Sequence, residues 1–132
     1  MTVFVDTSAF YAVLDADDDN HSNAGRIWRG LVSAHETMVC SNYVLVETFA
    51  VIQRRLGVQA ARAFQADIVP VLQVRWVDEA LHVAGVAAML TAGRRQLSVV
   101  DCTSFEIMRR AGLIEAFAFD QDFDAQGFRC LR

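Results

Sequence analysis

The sequence predicts an α/β fold, a three-layer α/β/α sandwich built on a central parallel sheet. Short apolar runs alternate along the chain with longer stretches of helical periodicity, the pattern of strands joined by crossover helices. The clearest strand candidates, Val3-Phe4-Val5 and Ala116-Phe117-Ala118-Phe119, are apolar at every position rather than at every second one. Strands covered on both faces look like that. A hydrophobic fraction of 54% over 132 residues, against a usual value of about 45–50%, supplies the material for such a two-sided core.

The elements follow in order. Thr2–Val5 reads as a buried strand, and residues 8–14 as a short helix opened by Thr7 or Ser8. Residues 15–20 form an acidic loop. Residues 21–34 carry Ala24, Ile27, Trp28, Leu31 and Val32 at helical spacing. Residues 38–40 make a second strand. Ser41 or Asn42 then caps a helix that runs to about Leu56 and stops at Gly57. A further helix covers residues 58–68, and Pro70 punctuates the chain before a strand over 71–77. Asp78 caps a helix that ends at Gly93; residues 97–111 are mainly helix, closed by Gly112. Strands over 116–119 and 128–131 complete the set. No repeat, low-complexity tract or linker intervenes, so residues 1–132 are expected to form one domain.

Composition narrows the function. No apolar run approaches the roughly 20 residues that cross a bilayer, and Asp6 breaks an N-terminal run without a basic leader. The expectation is a cytoplasmic protein with no membrane partner. Cys40, Cys102 and Cys130 are an odd number without metal-type spacing, and read as reduced, mostly buried thiols. The net charge of −4 opposes bulk coating of nucleic acid. All 12 basic residues are arginine, however, with pairs at Arg54-Arg55, Arg94-Arg95 and Arg109-Arg110. Arginine forks suit phosphate oxygens, although such a pair on a helix surface is more often just a solvated face.

The chemistry lies in the carboxylates. In open α/β sheets the site lies beyond the carboxyl ends of the strands. Asp6 follows the first strand, Asp120 follows the strand at 116–119, Glu47 lies in the helix after the second strand, and Asp101 in the first turns of the helix from Ser98. Any one of them could simply cap a helix or pair with an arginine. Four at one topological edge, in apolar settings, call for a different explanation. Clustered carboxylates repel and need protons or a cation. Oxygen donors without histidine or cysteine suit Mg²⁺ or Mn²⁺ rather than zinc. The matching chemistry is phosphodiester hydrolysis by metal-activated water, with no protein nucleophile.

These residues resemble the PIN-domain family, and more narrowly the VapC-type toxin ribonucleases of bacterial toxin–antitoxin modules. The resemblance is carried by Val3-Phe4-Val5-Asp6-Thr7-Ser8, Asp19-Asn20-His21, Asn42-Tyr43-Val44-Leu45-Val46-Glu47-Thr48, Leu97-Ser98-Val99-Val100-Asp101-Cys102-Thr103-Ser104-Phe105 and Ala118-Phe119-Asp120-Gln121-Asp122-Phe123, in that order along the chain. It implies a PIN-like parallel sheet, divalent-metal RNA cleavage, frequent homodimers and a small antitoxin protein that blocks the site. Asp6, Glu47, Asp101 and Asp120 match the family's acidic quartet, and Asp122 an additional acid. The family often has a hydroxyl two residues before the fourth acid; here that position is Ala118, and Thr7, Thr103 or Ser104 are the candidates to replace it.

On this reading Asp6 and Asp101 bind the metal directly, Glu47 and Asp120 bind through water or hold a second ion, and Asp122, Thr7 and Ser104 are accessory. Asp15, Asp17, Asp18 and Asp19 lack the glycine and later glutamate of a calcium loop and read as a solvated turn. His21, His35 and His82 read as structural or surface residues. A phosphoaccepting receiver domain would share the architecture but needs a lysine, and the chain has none. A metal-dependent phosphatase would need an aspartate-x-aspartate motif where Asp6-Thr7-Ser8 stands. The alternative from another class is a catalytically inactive PIN-like module that binds RNA or protein.

Overall fold

The computed structural model describes residues 1–132. Five parallel strands form one sheet in the order β3-β2-β1-β4-β5: β1 Thr2–Val5, β2 Thr37–Ser41, β3 Leu72–Arg75, β4 Glu115–Phe117 and β5 Arg129–Leu131. Helices α1 Thr7–Leu14, α2 His21–Ser33, α3 Asn42–Leu56, α4 Val58–Ala63, α5 Glu79–Ala92, α6 Val99–Ala111 and α7 Asp122–Ala125 cover it, giving the three-layer α/β/α sandwich. Val3, Phe4 and Val5 of the central strand are fully buried, as continuous apolar strands in a covered sheet should be.

The strand order fixes where a site can form. From β1 the chain steps outward through β2 to β3, then returns past β1 to β4 and outward again to β5. The direction therefore reverses between β1 and β4, and a crevice opens at their carboxyl ends. The backbone closes that point tightly: the Asp6 N–H donates to the Phe117 carbonyl at 3.1 Å.

Several boundaries differ from the sequence reading. Helix α1 is capped by Asp6, not by Thr7 or Ser8. The helix expected over 58–68 is α-helical only to Ala63; Phe64–Ile68 widens into a π turn, with both end residues buried, and Pro70 follows in a 3₁₀ turn. Strand β3 is shorter than 71–77 and is an edge strand, with Gln73 and Arg75 exposed. Strand β4 ends at Phe117, so Ala118 and Phe119 leave the ladder before Asp120.

Helix α7 has no counterpart in the sequence reading. A single turn carries no periodicity, and its tertiary anchor is Phe123. That ring is fully buried, 5.0 Å from the ring of Phe105 and 6.5 Å from that of Phe4. Anchoring Phe123 fixes its neighbour Asp122 beside the crevice. Trp76 is exposed, whereas Trp28 packs edge-on to Phe10.

Candidate active site

Asp6, Glu47, Asp101 and Asp120 all line one open pocket of about 400 Å³ at the β1/β4 crevice, with no histidine, cysteine or lysine among the lining residues. Their positions follow from local chemistry. Asp6 is the N-cap of α1: its Oδ2 accepts from the Ser8 N–H at 3.1 Å and from the Ser8 hydroxyl at 2.7 Å. Asp101 completes a capping box with Ser98, accepting from the Ser98 N–H at 3.0 Å while its own N–H donates to Ser98 Oγ at 3.1 Å. Asp120 Oδ1 accepts from the Asp122 N–H at 2.9 Å. Capping and metal binding are therefore compatible, because the cap uses one oxygen and aims the other.

Glu47 is brought to Asp6 through the residues that follow each of them. Thr7 Oγ1 lies 3.0 Å from Thr48 Oγ1, in a buried contact that ties the start of α1 to α3. Thr7 also donates to the Val44 carbonyl at 3.4 Å. Ser104 donates to the carbonyl of Val100 at 2.9 Å and is fully buried, and Thr103 Oγ1 is buried against Gly85. Thr7 and Ser104 are engaged in these hydrogen bonds, whereas Thr103 Oγ1 is buried with no hydrogen-bond partner, and neither Thr103 nor Ser104 lines the pocket. The hydroxyl that joins the two strand ends at the crevice is that of Ser8, which the sequence suggests only as a helix cap. It bridges the Asp6 carboxylate and the Phe119 N–H, the latter at 3.0 Å, and so joins the ends of β1 and β4. Its signal was the spacing Asp-x-Ser, the one that lets a cap carboxylate take a second bond.

The electrostatics are those of crowded, desolvated acids. Burial, followed by the nearby charges of Asp101 and Glu47, pushes the Asp6 carboxyl up to about 7 against the opposing hydrogen bonds of Ser8. Burial, then the charges of Asp120 and Glu47, raises Asp101 as well. Asp6 Oδ1 is buried without any hydrogen-bond partner. Asp101, Asp120 and Asp122 each offer an oxygen, all within 4.8 Å of one another. Asp122 thus stands with Asp101 and Asp120 in a group that does not include Asp6 or Glu47, while one of its oxygens also meets Arg94 at 3.3 Å. An orphaned buried carboxylate oxygen beside clustered oxygen donors fits a hard divalent cation.

The PIN-domain family model matches residues 3–129, nearly the whole chain. The chain belongs to the PIN-domain family. Within it, the 23S rRNA-specific endonuclease VapC20 of Mycobacterium tuberculosis is 39% identical over 127 residues, which cover 96% of this chain and 95% of that protein. The crystal structure of VapC20, described as a sarcin–ricin loop cleaving toxin, superimposes with a TM-score of 0.85 at 37% identity over 96% of this chain and 95% of the other. VapBC2 from Rickettsia felis, bound to a promoter DNA fragment, shares the fold alone: its TM-score is 0.71 at 10% identity, covering 98% of this chain and 97% of the other. In this PIN domain the carboxylates meet at the switch point of the sheet, where the fold leaves room for a ligand.

Proposed function

We propose that this protein is an endoribonuclease that hydrolyses RNA phosphodiester bonds with Mg²⁺ or Mn²⁺, and that it is the toxin of a toxin–antitoxin pair restrained by a cognate antitoxin protein. The observation that carries the reading is the orphaned, buried Oδ1 of Asp6 in a pocket shared with Glu47, Asp101 and Asp120. Such an oxygen is costly to bury unless something positive meets it. In this reading Asp6 and Asp101 hold the ion, Glu47 and Asp120 support it through water or a second ion, and Asp122 joins from α7. When bound, the dication supplies an activated water and offsets charge on the phosphate oxygens. The chain's own task is aim: Ser8 and Ser98 hold the carboxylates of Asp6 and Asp101, and Thr7 with Thr48 holds α3 so that Glu47 faces them. One domain spanning residues 1–132 carries this work, as a homodimer in the cytoplasm. No helix is long and apolar enough to cross a membrane.

The relative VapC20 is named for 23S rRNA, and its structure for cleavage of the sarcin–ricin loop, so ribosomal RNA is the first substrate to try. Mapping cleavage ends on total cellular RNA, with and without EDTA, tests reaction and substrate together. Discrete ends that vanish with EDTA are expected. Asp6→Asn or Asp101→Asn should lower cleavage by about a hundredfold or more while leaving a cooperative melting transition. Cleavage that survives the double substitution would assign the activity elsewhere. RNA bound but left intact in Mn²⁺ would return the inactive binding module.

A further inference from the structure

The pocket is acidic, and so is an RNA strand. A metal held by the carboxylates meets one phosphate, but the strand carries further phosphates on either side. Those neighbours face an anionic wall unless a cation of the chain stands there.

The arginine pairs supply one. Arg55 is the only basic residue that lines the pocket. In the other two pairs Arg94 meets Asp122 at the edge of the site, Arg109 engages Gln126 and the Phe128 ring, Arg110 pairs with Glu106, and Arg95 does not line the pocket. Arg55 takes part in none of the molecule's ion pairs, which use the N-terminus, Arg94, Arg110, Arg129 and Arg132. The carboxylate that feels its charge is Asp15, held low first by the Tyr11 hydroxyl and only last by Arg55, so the guanidinium keeps room for an anion.

Its position is nevertheless fixed. The guanidinium carbon lies over the ring of Tyr11, 5.5 Å from the centroid. The Tyr11 hydroxyl in turn donates to Asp15 Oδ2 at 2.6 Å, and Asp15 Oδ1 accepts from the Asp17 N–H at 3.0 Å. On α3, Glu47, Val51 and Arg55 follow one another at four-residue steps and all line the pocket, so the guanidinium rises from the same helix face as the acid. A planar fork, seated on an aromatic face with no carboxylate in ion-pair contact, is the geometry that binds a phosphodiester.

We propose that Arg55, seated on Tyr11, binds an RNA phosphate adjacent to the one at the carboxylates and thereby sets the register of the strand in the pocket. The proposal rests on the nuclease reading above. Arg55 touches substrate; Tyr11 is a positioning residue that acts through it.

The test uses the full chain in Mn²⁺ with a hairpin RNA carrying the sarcin–ricin loop and with total ribosomal RNA, reading KM, kcat and their dependence on salt. Arg55→Ala should raise KM about tenfold with kcat unchanged. It should also flatten the slope of log affinity against log salt by about 0.7–1, the mark of one lost phosphate contact. Arg55→Lys should restore the slope but not the full affinity, because it keeps the charge without the fork. Tyr11→Leu keeps the cation and removes its seat, so KM should rise while the salt slope stays that of the unsubstituted protein. Arg54→Ala, next in sequence but outside the pocket, should change neither. Arg55→Ala with unaltered KM and slope overturns the proposal and leaves the nuclease reading standing. An equal effect from Arg54→Ala, or a loss confined to kcat, overturns it too. Failure of the unsubstituted protein to bind or cut either RNA removes both.

Discussion

Asp6 does two things that pull against each other. One of its oxygens caps α1 and is held by Ser8; the other is buried with no partner, next to two further acids. The result is a carboxyl that keeps its proton to about pH 7, against an ordinary value of 3.8. Between those values the folded protein holds a proton that the unfolded chain has released. The stability contributed by this group is therefore full below pH 3.8 and is lost as pH rises through about 7. Asp101 shifts in the same direction and adds to the effect. Metal-free protein should melt at a lower temperature at about pH 8 than at about pH 6, and Asp6→Asn should reduce that difference. Thermal melts in EDTA across this range decide it; an unchanged slope in Asp6→Asn would assign the loss to other groups. The sequence made the acid visible but offered capping and catalysis as competing explanations. At the level of individual oxygens they are complementary.

Helices α5 and α6 meet at a single glycine. Gly85 is the only buried residue of α5. A Cβ there would lie 2.1 Å from Thr103 Oγ1 and 3.2 Å from Thr103 Cβ, so the helices approach as closely as they do because the side chain is missing. Thr103 lies on α6, the helix whose first turn carries Asp101. Gly85→Ala should destabilise the protein by about 1–3 kcal/mol through overpacking. Thr103→Ala in the same chain should recover part of the loss, since the two positions are coupled. Urea melts of the single and double variants measure both, and unaltered stability of Gly85→Ala would mean the helices can part without cost. The ends of these helices were readable from Asp78, Gly93, Ser98 and Gly112, because caps are local chemistry. The π turn at Phe64–Ile68 and the short α7 were not. Both are held by buried aromatic rings whose partners are distant in the chain.

At the scale of the molecule, the order β3-β2-β1-β4-β5 brings acids from four separate segments to one crevice. A fold that gathers negative charge in this way is relieved by a cation that binds only the folded state. Mn²⁺ or Mg²⁺ should raise the melting temperature, by the equivalent of about 2.7 kcal/mol when the ion is present at about a hundred times its Kd. EDTA should reverse the shift, and Asp101→Asn should abolish most of it. A melting temperature indifferent to both ions would remove the metal from the site and with it the hydrolytic reading.

The sequence alone determined the class of the fold and the acids at its edge. Continuous apolar strands, helical periodicity and an aspartate directly after the first strand are local patterns, and local patterns are written in neighbouring residues. Which hydroxyl completes the site, how near Asp122 stands and where Arg55 points were decided only by the tertiary structure. Ser8 reaches the Phe119 N–H across 111 positions, Phe123 docks α7 against rings from β1 and α6, and Tyr11 lies under a guanidinium from another helix. Such contacts depend on strand order and helix packing, and no window of sequence contains both partners.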